Sequence, residues 1–359
     1  MFKKLSYQKF FFLFLITTSL FLTYHLLIWT FLTSKIFNIS PYSIGDLGRM
    51  SYQINSLFPR IEQNNTLPHK HFDGKNWKNE PIDLITIGDS FSNGGGGGKN
   101  PYYQDYLATV LQINVLNIQN INKDFGYIDT IRYLHQKQWL NKIKPKAILI
   151  ESVAREAVNH VPSHNQTISL NEKKLLAQIF KENHCTYFPK PLLINTANYK
   201  APYYYIKYHF SSRAKKEVYR FKLSKNFFTT PDSNYLLAYH DDLNNINIIN
   251  IETITQLNQE LNTLADELKK DGITLIFMPV VDKYDLYYDY IVDHKQYPKN
   301  PFFSSLKAQS KKYIFIDTKS ILIPLLEDNV QDVYYSDDTH WSYKASERIT
   351  KNPIFYFLK

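Results

Sequence analysis

The sequence predicts an α/β fold, a three-layer α/β/α sandwich around a mainly parallel five-stranded sheet. Three observations predict it. An apolar, β-branched run, Ile82 to Ile87, stops abruptly at Gly88-Asp89-Ser90. Short apolar runs then alternate with stretches of helical spacing, the signature of a parallel sheet with right-handed crossovers. After an irregular interval the alternation resumes and ends in a polar loop, Asp337-Asp338-Thr339-His340-Trp341.

The elements follow in order. Met1 to Lys9 carries Lys3, Lys4 and Lys9, and Phe10 to Leu32 follows without an Asp, Glu, Lys or Arg. At about 1.5 Å per residue this run crosses a hydrocarbon core of about 30 Å. It is longer than the apolar region of a signal peptide and lacks a small-residue cleavage pattern. The reading is an uncleaved inner-membrane anchor over 10–32 with Trp29 at the interface. The basic residues 1–9 stay in the cytoplasm and the rest of the chain lies in the periplasm or beyond. His25 has no acidic partner in the run and reads as a tolerated residue near the interface. Residues 33–80, with Pro41, Pro59, Pro68 and Asn64-Asn65, read as a connector that either packs on the domain or forms a stalk.

The domain proper spans 81–359. Its strands are expected at 83–87, 113–118, 147–151, 273–278 and 313–316, with Pro279 marking the exit of the fourth. Helices are expected at 102–111, 128–140, 170–182, 251–270, 321–326 and 343–350. In the helix over 251–270, Leu257, Leu261, Leu264 and Leu268 share one face, and Asp271-Gly272 stops it. Between the third and fourth strands, about 160–250, the pattern lapses into a stretch rich in Tyr, Phe and Lys that includes Tyr203-Tyr204-Tyr205 and Phe227-Phe228. This reads as an insertion over the active-site edge. Its aromatics suit packing onto the core and suit stacking on sugar rings equally.

Composition narrows the function classes. The net charge is +9, but the lysines are scattered or paired, as in Lys215-Lys216, Lys269-Lys270 and Lys311-Lys312. There is no basic stripe, zinc-ligand spacing or basic helix, which argues against nucleic acid. The charge suits a solvated surface, and also attraction to anionic glycans or lipid head groups. Cys185 is the single cysteine, so no intramolecular disulfide forms. The tract Gly94 to Gly98 departs from a phosphate loop at Asn93 and Asn100. It reads instead as a mobile loop beside the serine that admits a bulky acyl acceptor. No cofactor and no metal are called for.

The chemistry sits in two distant pieces. A serine hydroxyl needs a base within hydrogen-bond reach and a carboxylate to hold the base's tautomer. Ser90 is the candidate nucleophile, His340 the base, and Asp338 or Asp337 the orienting carboxylate. An attacked carbonyl also needs oxyanion donors. The candidates are the N–H of Ser90, the N–H of Gly126 in the loop after strand two, and Arg155 after strand three. An Arg155–Glu156 structural pair is the competing reading of the last. Asp89, Trp341 and Lys283 are assigned to the substrate side.

Together, Gly88-Asp89-Ser90-Phe91, the Gly126 loop and the Asp338-x-His340-Trp341 loop resemble the SGNH (GDSL-type) hydrolase superfamily. More closely they resemble its membrane-associated branch that includes the alginate O-acetylation proteins. Glu151 and Arg155 are similar to that branch's segment at the end of strand three. Pro279, Asp282-Lys283 and Tyr287 are similar to its segment after strand four. The resemblance covers roughly 83–351, except the insertion. It departs in lacking a Gly-x-Asn-Asp block and in having the serine before the Asp-x-His motif. It implies a Ser-His-Asp O-acetyltransferase acting on hydroxyls of an envelope or exported glycan through an acyl-Ser90 intermediate. A membrane-bound acyl-donor protein is the implied partner. A carbohydrate O-acetyl esterase of the same fold is the first alternative, and a non-catalytic glycan-binding or scaffold protein the second.

Overall fold

The computed structural model describes residues 7–37, 44–52, 66–164, 171–182, 191–210 and 217–359. Lys3, Lys4, Pro41, Pro59, Asn64-Asn65, Cys185 and Lys215-Lys216 lie outside them.

The apolar run is helical from Tyr7 to Ile28 (α1), passes through one π-helical turn at Trp29–Thr33, and continues to Ile36. It is long and apolar enough to cross a membrane. A short helix, α2 (Asp46–Ser51), follows. Five strands then build one parallel sheet: β1 (Leu84–Ile87), β2 (Val115–Ile118), β3 (Ala147–Val153), β6 (Thr274–Val280) and β7 (Ile314–Phe315). Their order is β2-β1-β3-β6-β7. Leu84 pairs with Val115 on one side and Ala147 on the other, so chain direction across the sheet reverses at β1. The carboxyl end of β1 is therefore a topological switch point, where open sheets place their ligand crevice. The first three strands are buried along their whole length, on both faces, including the polar Thr86, Asn117, Glu151 and Ser152.

Helices cover both faces. Tyr103–Leu111 (α3), Thr318–Glu327 (α11) and Tyr343–Thr350 (α12) form one group. On the other side, Ala154–His160 (α5), Ile251–Lys269 (α8) and Phe302–Lys307 (α10) pack together. In α8, Leu257, Leu261, Leu264 and Leu268 are all buried, as their spacing predicts. Asn250 caps its start by accepting from the N–H groups of Glu252 and Thr253.

Several boundaries differ from expectation, each for a local reason. The fourth strand does not end at Pro279 but runs through it to Val280, paired in register with β3 at Ser152 and Val153. The helix expected over 128–140 ends at Gln136 (α4, Tyr127–Gln136), because Gln138 adopts a left-handed backbone and a new short helix starts at Trp139. Arg155 sits in the first turn of α5, not in a loop. The insertion holds Glu172–Ile179 (α6), Ala197–Phe210 (α7) and a two-stranded antiparallel ribbon, β4 (Val218–Lys222) with β5 (Tyr235–Tyr239). Its Phe227 and Phe228 are fully buried, so packing accounts for them.

The connector packs on the domain wherever it is described. Phe72 adds one parallel bridge to the outer side of β2, with its N–H on Val115 O at 2.7 Å. This covers part of an edge that would otherwise present unpaired backbone groups. Further back, α2 and its preceding turn lie against the Asp337–Trp341 loop, where Gly48 N–H donates to Asp337 O at 2.9 Å.

Candidate active site

Ser90 occupies the turn immediately after β1, and three local bonds set its position. Asp89 Oδ1 accepts from Phe91 N–H at 3.1 Å, an Asx turn that closes the chain on itself. Asp89 Oδ2 accepts from Val153 N–H at 2.7 Å, tying the turn to the end of β3. Beneath it the buried Glu151 carboxyl accepts from the N–H groups of Asp89 and Ser92 and from Ser92 Oγ, at 3.1, 3.1 and 2.7 Å. Burial, with Asp89 beside it, raises the Glu151 pKa well above the ordinary glutamate range. The sequence alone places Asp89 on the substrate side. Both of its oxygens instead hold backbone, which makes it a strut of the turn.

The loop carrying His340 is held from below. Lys283 is buried at the start of Lys283–Tyr287 (α9), just beyond β6. Its ammonium donates to the carbonyls of Tyr335, Ser336 and Asp338 at 2.7, 2.9 and 3.1 Å. Burial lowers its pKa to about 8, against the pull of Asp337, Asp338 and Asp46. Lys283 is thus a positioning residue for the loop and not a substrate ligand, since its three donors are used. Trp341 is likewise buried, edge-on to Phe91 with ring centroids 4.8 Å apart. Phe91 also lies under His340, with centroids 4.6 Å apart. Trp341 therefore anchors the loop in the core, a correction to its expected place on the substrate side.

These supports bring two residues 250 positions apart into one hydrogen bond. Ser90 Oγ lies 2.7 Å from His340 Nε2. On the other side of the ring, His340 Nδ1 lies 2.6 Å from Asp338 Oδ1. A carboxylate can only accept, so Nδ1 carries the proton, Nε2 is the acceptor, and the Ser90 hydroxyl donates to it. Burial disfavours the imidazolium, but Asp338 by charge and hydrogen bond, then Asp46 and Asp89, outweigh it. His340 sits above the ordinary histidine range. Ser90 itself is exposed, while Asp338 and His340 are buried.

The two adjacent aspartates separate in role. Asp337 Oδ2 accepts from Gly45 N–H at 2.7 Å, holding the turn before α2, while Asp338 faces the ring. That turn delivers a residue that sequence reasoning missed. Asp46 accepts from Thr339 N–H at 2.8 Å and from the Thr339 hydroxyl, and its Oδ2 stands 3.8 Å from His340 Nδ1. Burial, then the neighbouring Asp338, pushes its pKa up to about 6, with His340 and Thr339 pulling the other way. Asp46, Asp338 and His340 offer ligand atoms within 4.8 Å of one another. That set is already satisfied by hydrogen bonds among its own members and Thr339. The one signal for Asp46 in the sequence was scarcity: it and Glu62 are the only acidic residues before Asp73.

The glycine tract closes over the imidazole. Gly95 N–H donates to Ser90 O at 2.7 Å, and a Cβ at Gly95 would stand 2.2 Å from His340 Nε2. The tract is therefore packed against the site, and its lack of side chains is what allows the approach.

Of the three oxyanion donors expected, only the Ser90 N–H makes no hydrogen bond among the described residues. The Gly126 N–H donates to Asp129 Oδ2 at 2.9 Å in the cap of α4. Glycine is required there because a Cβ would meet Pro162 O at 1.7 Å. Arg155 is a partly buried strut, paired with the buried Asp282 at 2.8 Å and Asp242 at 3.1 Å. Burial alone would lower its pKa; the two aspartates outweigh that and hold it further above the arginine range. Its ion-pair partners are thus Asp282 and Asp242, not Glu156.

No curated protein matches the chain. Residues 240–351, which contain Lys283, Asp338, His340 and Trp341 but not Ser90, match the family described as SGNH hydrolase-like domain, acetyltransferase AlgX. Residues 240–351 are thus similar to the SGNH hydrolase-like domain of AlgX acetyltransferase, and they belong to an α/β fold with a mainly parallel five-stranded sheet.

Proposed function

We propose that this protein is a membrane-anchored O-acetyltransferase that works through an acetyl-Ser90 intermediate on hydroxyls of an envelope glycan. The observation that carries the reading is the continuous chain Ser90 Oγ–His340–Asp338, at 2.7 and 2.6 Å. The AlgX-type match over 240–351 supports acetyl transfer as the chemistry.

In the first half-reaction Ser90 Oγ attacks the acetyl carbonyl of a donor while its proton passes to His340 Nε2. Asp338 stabilises the imidazolium so formed, and Ser90 N–H faces the oxyanion. Collapse breaks the bond to the donor's leaving group, which takes the proton from Nε2. In the second half a glycan hydroxyl gives its proton to Nε2 and attacks the acetyl-serine carbonyl; collapse breaks the acetyl C–Oγ bond, and Ser90 Oγ takes the proton back from Nε2. Anchoring through residues 10–32 would hold the domain on the extracytoplasmic side. Acetyl-CoA is cytoplasmic, so the donor would be a membrane-bound acyl-donor protein. The exposure of Ser90 favours one second reading, an O-acetyl esterase, in which water takes the acceptor's place.

The test is turnover of an activated acetyl ester by full-length protein in detergent, beside Ser90→Ala, with and without glycan oligosaccharide. The reading expects activity that Ser90→Ala abolishes and acetylated oligosaccharide as a product. Equal turnover in the two proteins removes Ser90 from the mechanism. Acetate alone, whatever the acceptor, makes the protein an esterase.

A further inference from the structure

Outside α1, the two large apolar side chains with the greatest exposure among the described residues are Phe210, 86% exposed, and Leu192, 79% exposed. Both belong to one segment, residues 191–210, which also exposes Ile194, Tyr199, Tyr203 and Ile206. The segment has no Asp or Glu, and its Lys200 and Lys207 are exposed. A contiguous apolar surface of this kind marks contact with something other than water.

What it contacts is indicated by its other side, which packs on α1. His25 is the one buried residue of α1, and it is buried by this segment. Asn198 Nδ2 donates to His25 Nδ1 at 2.7 Å, so the remaining ring N–H donates to Tyr199 OH at 3.0 Å. Tyr24 OH donates to Asn198 O at 2.9 Å, Trp29 Nε1 donates to Pro191 O at 3.0 Å, and the Tyr24 and Tyr199 rings stack. These contacts satisfy both nitrogens of a polar side chain that would otherwise face hydrocarbon alone, which is costly in a span. Counted from Phe10 at about 1.5 Å per residue, His25 lies about 22 Å and Trp29 about 28 Å into a core of about 30 Å. Residues 191–199 therefore share the depth of the far leaflet and its boundary. There the exposed Tyr199 matches an aromatic belt, and the exposed Lys200 beside it suits lipid phosphates.

We propose that residues 191–210 form a second membrane element, bedded in the bilayer interface beside α1 on the side of the SGNH-like domain. This rests on the reading of residues 10–32 as a membrane anchor. The occupant of the apolar surface is lipid, because the segment packs directly on the apolar α1 and exposes large apolar side chains beside it with no carboxylate among them. Two contacts, unlike one flexible tether, set the domain's height and tilt on the membrane.

The test is nitroxide depth measurement on full-length protein in phosphatidylcholine–phosphatidylglycerol nanodiscs, in a Cys185→Ser background. Labels are attached at Leu192→Cys and Ile206→Cys, at Phe21→Cys as the anchor reference, and at Val292→Cys as a surface site far from the segment in sequence. Relaxation by oxygen is compared with relaxation by a water-soluble nickel chelate. The proposal expects oxygen-favouring values at 192 and 206, of the same sign as at 21 and opposite to 292. Values at 192 and 206 that match 292, with 21 still oxygen-favouring, overturn it and leave the anchor intact. Labels at 192 and 206 shielded from both reagents would mean that protein covers the surface, which also overturns it. A water-like value at 21 removes the anchor itself and the proposal with it.

Discussion

Replacing Gly95 by alanine tests whether the contact between the glycine tract and His340 matters to the chemistry. The added Cβ would lie 2.2 Å from His340 Nε2 and 2.7 Å from Ser90 O. Ordinary van der Waals contact begins near 3.4 Å, so the imidazole must recede by about 1.2 Å or the turn must open by a similar amount. The Ser90–His340 bond is 2.7 Å, and a lengthening of that size carries it past the range of a hydrogen bond. Misplacement by about 1 Å costs about 10²-fold in rate, or about 2.7 kcal/mol of barrier. Gly95 is not among the tract's glycines with positive φ, so alanine brings no backbone strain of that kind. The expectation is kcat/KM on an activated acetyl ester down about 100-fold, with near-ultraviolet circular dichroism close to wild type and a lowered Tm. Wild-type kcat/KM in a folded Gly95→Ala protein would refute the argument, because the imidazole could then not be where the contact requires.

Three further outcomes follow from the same geometry. Asp46→Asn removes a negative charge 3.8 Å from His340 Nδ1 and keeps an oxygen that can accept from Thr339. The other charged groups around the ring, Asp338, Asp89, Asp337 and Lys283, stay in place. Losing an anion makes the imidazolium less favourable, so the acid limb of the kcat/KM profile should move to lower pH, whereas an unmoved limb would show that the charge does not reach the ring. Lys283→Met orphans the carbonyls of Tyr335, Ser336 and Asp338, and at about 1–3 kcal/mol for each buried unpaired group it should destabilise the protein by on the order of 3 kcal/mol in urea unfolding; an unchanged midpoint would deny the strut. Arg155→Met leaves Asp242 and Asp282 buried without their cation and should cost about 3–5 kcal/mol, while the fraction still folded should turn over the ester at the normal rate. A loss of kcat without a loss of stability would return Arg155 to the oxyanion side.

Much of this site was legible because its chemistry depends on residue type at short range. A β-branched run broken by Gly88-Asp89-Ser90 specifies a buried strand and a sharp turn, and Asp338 two residues before His340 suits one loop that holds both groups. Roles assigned by type alone fared worse. Arg155, Lys283, Trp341 and Asp89 were read as facing a ligand, because a charged or aromatic residue near a catalytic motif can do so. Each instead makes bonds to backbone, to buried carboxylates or to an aromatic ring. Gly126 was chosen as a donor because glycine permits close approach; the approach is real, but to Pro162, and its N–H belongs to Asp129.

From residue order alone came the strands, the α8 face, the long apolar N-terminal helix and the candidate pair near 90 and 340, because periodicity, breakers and charge-free length are local properties of the chain. Tertiary structure alone decided that Asp338 and not Asp337 faces the imidazole, that Asp46 joins them from 292 residues upstream, and that Gly95 closes over the ring. It also decided that residues 191–210 cover His25. Those are pairings between segments with no shared periodicity, and they exist only once the sheet order β2-β1-β3-β6-β7 has brought the strand ends to one edge.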